Sequence, residues 1–288
     1  MLPEAGPKPP WLRVRVRQTP ELEAVSRAIR QGRLHTVCAS AACPNLGECW
    51  SRGTATFMIG GNLCTRRCGF CDVATGRPSP LEGDEPLRVA RAVAELGLGF
   101  AVVTCVARDD LPDGGAGQMA ATVRAIRRLC PRTGIEVLVA DYKGDERALG
   151  LVLDAGPDVL NHNLESVERL QRRVRPAARY ERSLRLLRRA GELCPEIPTK
   201  SGLMLGLGER DDEVARALAD LREAGVSLLT LGQYLRPSPA HLPVARWVPP
   251  ADFDAWGERA RALGFREVAS GPLVRSSYRA ERLAGRLA

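Results

Sequence analysis

Cys64-Thr-Arg-Arg-Cys68-Gly-Phe-Cys71 decides how this chain is read. Three thiols, spaced by three residues and then two, can wrap one corner of a cubic 4Fe–4S cluster, ligating three irons and leaving the fourth open. Ferredoxin-type electron carriers supply four cysteines per cluster, because there every iron is to be protected. A triad with no fourth cysteine close behind points instead to an iron that binds something else. An aromatic, Phe70, stands just before the last cysteine.

A second triad lies upstream, at Cys38, Cys43 and Cys49, so that six of the 9 cysteines crowd into one short region. The other three (Cys105, Cys130, Cys194) are scattered. An odd count and this clustering argue against a paired disulfide framework. Met1 to Trp11 is proline-rich with no basic-then-apolar signal pattern, so a reducing, cytoplasmic setting is expected. No apolar stretch approaches the roughly 18 residues needed to span a membrane. A structural zinc site, with His35 as fourth ligand, is the competing reading of the upstream triad. It is the weaker one, because zinc modules usually pair cysteines as C-x2-4-C and this segment has no such pair. Cys130 and Cys194, each followed by proline, read as small apolar side chains.

At 288 residues and 44% hydrophobic, the chain can bury a full core as one large domain or as a domain with extensions. The formal charge is +8. A basic chain ordinarily suggests a polyanion, yet cysteine-held clusters would lower that charge. Arg169, Arg172, Arg173, Arg175, Arg179, Arg182 and Arg185 read as a solvated helical face. With 5% aromatics there is no basic–aromatic interleaving for single-stranded nucleic acid. The charge therefore points to an acidic protein partner.

Beyond the cysteines, short β-branched runs alternate with helical periodicity. Strands are expected at Thr56–Ile59, Phe100–Val106, Ile135–Ala140, Val159–Asn163, Thr199–Leu205 and Leu228–Tyr234. Helices are expected at Pro86–Leu96, Met119–Leu129, Arg182–Glu192 and Asp211–Ala224, several followed by a glycine stop. This alternation predicts βα units on a parallel sheet, six of them, short of the eight of a closed barrel. The predicted strands end in polar residues: Thr104-Cys105, Asp141-Tyr142, Asn161-His162-Asn163, Lys200-Ser201 and Gln233-Tyr234. In a (β/α) barrel such ends form the mouth of the active site. Taken singly, His162 could be a satisfied hydrogen-bond node, and Lys200 or Asp141 could pair with a neighbouring charge. Gly202-Leu-Met-Leu-Gly206-Leu-Gly208-Glu209 lacks the spacing of a Rossmann or P-loop cradle, but its glycines permit close backbone approach to a ligand.

The Cys64/Cys68/Cys71 triad with Phe70 resembles the cluster motif of the radical S-adenosylmethionine (radical SAM) enzymes. The glycine element resembles their G-x-I-x-G-x-x-E segment, with Met204 at the isoleucine place. Within that superfamily the chain is similar to the lipoyl synthases. The matching stretches are Cys38-x4-Cys43-x5-Cys49-Trp50, Arg108-Asp-Asp-Leu-Pro-Asp-Gly-Gly115, Asn161-His-Asn-Leu-Glu165, Thr199 to Glu209, Leu231-Gly-Gln-Tyr-Leu-Arg-Pro-Ser238 and Val268 to Tyr278, ending Arg275-Ser-Ser277-Tyr278.

The resemblance implies a partial (β/α)6 TIM-type barrel over residues 54–240. An N-terminal extension (1–53) and a C-terminal extension (241–288) would carry an auxiliary cluster. It implies two 4Fe–4S clusters. One, on Cys64, Cys68 and Cys71, would bind and reductively cleave S-adenosylmethionine. The other, on Cys38, Cys43, Cys49 and Ser277, would donate sulfur to carbons six and eight of a protein-bound octanoyl-lysine. Ser277 has a ready physical sense there, since an alkoxide is an unusual iron ligand and makes a weak corner for a cluster meant to be consumed. Phe70, Thr104, Asn163, Glu165, Lys200 and Gly206 would contact S-adenosylmethionine.

The implied partners are octanoylated carrier domains, either acyltransferase subunits of 2-oxoacid dehydrogenases or a glycine-cleavage carrier protein. An electron donor such as flavodoxin or ferredoxin, and an iron–sulfur carrier that rebuilds the auxiliary cluster, are also implied, with no nucleic acid and no membrane. Two positions depart from the usual Thr-Ser-Val-Asp-Arg-Asp-Asp of the family: Cys105 replaces the serine, and Ala107 replaces the first aspartate. Rival readings are another radical SAM sulfur-inserter, such as a methylthiotransferase, and a non-catalytic iron–sulfur or zinc protein.

Overall fold

The computed structural model describes residues 5–13, 20–37, 45–51 and 54–285. In chain order the described residues form α1 (Pro20–Gln31), β1 (His35–Thr36), α2 (Leu46–Ser51), β2 (Thr54–Ile59), α3 (Glu85–Glu95), β3 (Phe100–Cys105), α4 (Ala116–Leu129) and β4 (Gly134–Leu138). They continue with α5 (Glu146–Leu153), β5 (Val159–Asn161), α6 (Gln171–Val174), α7 (Tyr180–Leu193), β6 (Thr199–Leu205), α8 (Asp211–Glu223), β7 (Leu228–Gln233), α9 (Pro250–Ala262), β8 (Glu267–Gly271) and α10 (Ala280–Leu283). The chain divides into two compact units.

The first unit comprises Val16–Arg66, Val73–Asn161 and Ser277–Ala288. Its strands lie in chain order, β1 to β5. β1 is antiparallel to β2, pairing His35 with Met58. The rest are parallel: Thr54 pairs with Phe100, Val103 with Val137, and Leu138 with Asn161. Every residue of β2 is buried, and so are Phe100 to Thr104 of β3. That is why these strands read as continuous apolar runs instead of alternating ones. Helices supply the cover, with Val89, Ala90 and Val93 of α3 and Met119, Val123 and Ile126 of α4 buried at helical spacing. The C-terminal segment returns to this unit. Ala280 joins the core beside Phe100 and Val102, and the Thr54 hydroxyl donates to Glu281 Oε2 at 3.1 Å.

The second unit comprises Met1–Arg15, Arg67–Asp72 and His162–Ser276. Here β6, β7 and β8 are parallel, with Lys200 opposite Leu228 and Leu228 opposite Glu267. The six expected strands appear as β2 to β7, within two or three residues at their ends. β8 is a further parallel strand that the sequence reading did not anticipate. Helices α1, α5 and α9 were likewise not expected. α9 begins at a Pro249-Pro250 pair that fixes its first turn.

Candidate functional site

In the second unit, Cys68, Phe70 and Cys71 sit on a turn closed by Cys71 N–H donating to Cys68 O at 3.2 Å. Three outside contacts hold that turn. Gly69 N–H donates to Val174 O at 2.9 Å, and Leu242 N–H donates to Gly69 O at 3.0 Å. His241 Nε2 lies 3.1 Å from Cys71 O, while its Nδ1 lies 2.8 Å from the Ser238 hydroxyl. A carbonyl can only accept, so the Nε2–H tautomer of His241 donates to Cys71 and its Nδ1 accepts from Ser238. Gly69 must be glycine, because a Cβ there would come within 2.8 Å of Leu242.

Residues 162–165 run beside β6. His162 N–H donates to Lys200 O, Leu164 N–H to the Ser201 hydroxyl, Glu165 N–H to Gly202 O, and Met204 N–H to Glu165 O. These bonds hold Glu165 at φ 66°, a left-handed conformation that costs a non-glycine residue energy. Asn163 Nδ2 donates to Glu165 Oε1 at 3.0 Å. Burial pushes the Glu165 carboxyl up, against the opposing pull of Arg175, the Asn163 amide and Arg275. Asn163 Oδ1 is buried with no hydrogen-bond partner, and a Cβ on Gly202 would lie 3.0 Å from it. An orphaned buried acceptor beside a half-buried carboxyl is a set of acceptors that an ammonium group, donating, completes. His162 is the satisfied node that the sequence allowed, with its Nε2 2.9 Å from the Ser183 hydroxyl. Lys200 is fully buried on β6.

Arg175 corrects the reading of the arginine run as a solvated face. It is buried and donates to Asn163 O at 2.8 Å and Leu164 O at 3.3 Å. Arg169 pairs with Glu213 at 2.6 Å. Neither is idle surface charge.

Gly206 adopts φ 98°, and a Cβ there would run into the Gln233 amide and lie 2.6 Å from Arg246 O. The buried Glu209 carboxylate accepts from Gly206 N–H at 2.6 Å and Leu207 N–H at 2.8 Å. Gly206 O accepts from Ala245 N–H. Both polar backbone groups of Gly206 are therefore already engaged within the protein.

In the first unit, Cys64 is framed by backbone bonds: its N–H donates to Ala74 O, and its O accepts from Gly76 N–H. Arg66 N–H lies 3.4 Å from Cys64 Sγ, a donor placed for a thiolate. The Thr65 hydroxyl donates to Ala107 O and accepts from Asp109 N–H. Arg66 pairs bidentately with Asp109 and lies 2.6 Å from Asp141. Although burial opposes its charge, those two carboxylates hold the guanidinium protonated. Asp141 thus takes the neighbouring-charge role foreseen as its plainer alternative. The Thr104 hydroxyl donates to Leu138 O at 3.0 Å, tying β3 to β4.

Cys38 and Cys43 lie outside the described residues. Cys49 stands on α2, and its neighbour Glu48 reaches the tail, accepting from Tyr278 OH at 3.3 Å and Arg279 Nη2 at 3.1 Å. Cys49 and Ser277 are each next to a residue of this contact, so the unit brings their two segments together. All seven described cysteines are thiols rather than disulfide halves.

Glu48, Arg66, Arg175 and His241 were not singled out from the sequence. Glu48 borders Cys49 and Arg66 lies between Cys64 and Cys68, which is the one local signal available. Nothing in sequence marks Arg175 or His241, whose partners come from remote segments.

Such a cysteine run, followed by polar strand ends and a left-handed glycine turn, is the layout of a radical SAM protein, and the model of the radical SAM superfamily matches residues 58–233. Solved structures with the same fold include methylornithine synthase (TM-score 0.53, 13% identity, 88% of this chain and 78% of that one) and Streptococcus suis SuiB bound to S-adenosylmethionine (TM-score 0.57, 10% identity, 90% and 67%). The partial TIM-type barrel expected from sequence is therefore the fold.

Closer relatives are lipoyl synthases. The chain is 55% identical to that of Nitrosococcus oceani over 96% of its own length and 86% of the relative's. It is 55% identical to that of Rubrobacter xylanophilus (95% and 85%) and 56% to that of Methylococcus capsulatus (96% and 86%). The chain belongs to the lipoyl synthase family. As in that family, its cofactors are two 4Fe–4S clusters and S-adenosylmethionine. Among the described residues, no helix is long and apolar enough to cross a membrane.

Proposed function

We infer that this chain inserts two sulfur atoms, at carbons six and eight, into an octanoyl group amide-linked to a lysine of a carrier protein, and so makes the lipoyl group. The observation that carries the reading is likeness to lipoyl synthases over 96% of the chain. When bound, the clusters and S-adenosylmethionine supply the electron, the hydrogen-abstracting radical and the sulfur. No side-chain acid or base would suffice for an unactivated C–H bond, since proton transfer typically contributes only about 10² to 10⁴-fold.

The protein's share is placement. Cys64, Cys68 and Cys71 hold the cluster that takes S-adenosylmethionine. Asn163 Oδ1 accepts from the ligand's amino group, Glu165 and Lys200 bracket its charged end, and Gly206 faces its adenosine. Phe70 and Thr104 border the same ligand. Cys38, Cys43, Cys49 and Ser277 hold the sulfur-donating cluster, on extensions (1–53 and 241–288) that flank the barrel segment (54–240). Head and tail, tied through Glu48, exclude water from reactive intermediates.

The carrier is an acyltransferase subunit of a 2-oxoacid dehydrogenase or a glycine-cleavage carrier protein. A flavodoxin or ferredoxin provides electrons, and an iron–sulfur carrier rebuilds the spent cluster, all in the cytoplasm. Anaerobic single turnover of the iron–sulfur-reconstituted protein tests this, with S-adenosylmethionine, a strong reductant and an octanoyl-lysyl peptide. The expected result is deoxyadenosine together with a peptide that gains two sulfurs. Deoxyadenosine without peptide sulfur would make the substrate assignment wrong.

A further inference from the structure

The turn that carries Cys68 and Cys71 is flanked by three exposed arginines. Arg67 precedes Gly69 by two residues, and Arg172 and Arg173 lie on α6. The Gly69–Val174 hydrogen bond joins these two backbones, and Arg173 O lies 3.3 Å from the place a Gly69 Cβ would take. All three arginines are exposed. Among the described residues their side chains have no hydrogen-bond or ion-pair partner. Their neighbours in the run are already committed, Arg169 to Glu213 and Arg175 to the backbone of residues 163 and 164. Some other exposed arginines of the unit are matched locally, as Arg189 is by Glu192 and Arg210 by Asp212, but these three lie on the two backbones joined at the cysteine turn. Like charges left unmatched on joined backbones form a one-signed field that favours an anionic partner.

We propose that Arg67, Arg172 and Arg173 form the docking surface for an acidic face of the octanoylated carrier domain. This rests on the sulfur-insertion reading above, in which the octanoyl chain arrives tethered to a folded protein. The carrier's own surface must then come to rest beside the cysteine turn while the tether reaches past it. Arginine suits that contact because its planar fork takes a carboxylate bidentately and is weakly hydrated. The surface sets affinity and association rate and leaves the chemical step alone.

The test uses the full-length, iron–sulfur-reconstituted protein and an R172E/R173E variant, with R172K/R173K as the conservative control. Kd for the octanoylated carrier domain is measured by calorimetry at low and moderate salt. KM and kcat are measured on that domain and on a short octanoyl-lysyl peptide. Charge reversal is expected to raise Kd and KM for the carrier domain by about tenfold or more and to flatten their salt dependence. kcat on the peptide and iron content stay as in the parent, and the lysine control stays within a few-fold of it.

An unchanged carrier Kd, or equal losses on carrier and peptide, would overturn the proposal. A single-stranded oligonucleotide whose binding R172E/R173E abolishes, while the carrier Kd stays as in the parent, would do so too. If R172E/R173E fails to retain iron, the parent protein decides: carrier binding insensitive to salt sinks the idea. Absence of sulfur insertion on both substrates by the parent would instead defeat the functional reading.

Discussion

Glu209 commits both carboxylate oxygens to the amides of Gly206 and Leu207, and it is buried with them. Glu209→Ala would leave two buried N–H donors unmet and release a left-handed turn. It is expected to cost about 2–4 kcal/mol in urea unfolding and to weaken S-adenosylmethionine binding by equilibrium dialysis. An unchanged midpoint would show that Gly206 holds its conformation unaided. Cys105 offers a pH handle at the same scale. Burial first, and then the charge of Glu85, push its thiol up to about 12 from an ordinary 9.0, with Arg108 pulling the other way. The folded thiol therefore stays protonated where the unfolded one ionises. Its contribution to stability is full below about pH 9 and falls as pH climbs from there toward 12. Cys105→Ser should flatten that part of the stability profile, read as urea midpoints at about pH 8 and pH 10. A parallel loss in both proteins would acquit Cys105. Residues of this kind were half visible in sequence. The glycine element announced a close backbone approach, but the crowding around the Cys105 sulfur comes from Gly60 and Gly115, which only folding brings to it.

At the level of elements, β2 to β7 were legible because their residues are mostly buried on both faces and each run carries a cluster of apolar and β-branched residues between turn and helix signals. β8 was not. Of Glu267-Val-Ala-Ser-Gly271 only Val268 is buried, so neither an apolar run nor an alternation survives. The stretch from Pro239 to Pro249 was equally silent, although it straps the cysteine turn through His241 and Leu242. His241→Ala should leave the strands intact and lower the iron retained per chain after reconstitution and gel filtration. His241→Gln, which can still donate to Cys71 O, should recover most of it. Equal iron in all three proteins would show that Leu242 alone suffices. The cysteines themselves needed no folding to be recognised, since their meaning lies in local spacing, whereas Arg175 and His241 act across elements and leave no spacing to read.

The return of the tail brings the segment of a serine far along the chain beside that of Cys49. Ser277 precedes Tyr278 and Arg279, both of which bind Glu48, the neighbour of Cys49. Ser277→Ala removes one oxygen and none of those contacts. It is expected to keep reductive cleavage of S-adenosylmethionine while lowering sulfur insertion at least tenfold, measured as deoxyadenosine and peptide mass in one anaerobic reaction. Equal loss of both products would deny Ser277 a role confined to the sulfur-donating cluster. The family resemblance made this return of the tail readable, but the contacts that fasten it were not.

The same return sets a clock. Thr54 bonds Glu281, a residue 227 positions later in the chain. At about 5–20 residues per second of synthesis, roughly 10 to 45 seconds separate the making of the two. Throughout that interval β2 and β3 exist without Ala280 beside Phe100 and Val102. The nascent first unit therefore waits on the ribosome with its core incomplete, and chaperone contacts during that wait should concentrate on those two strands.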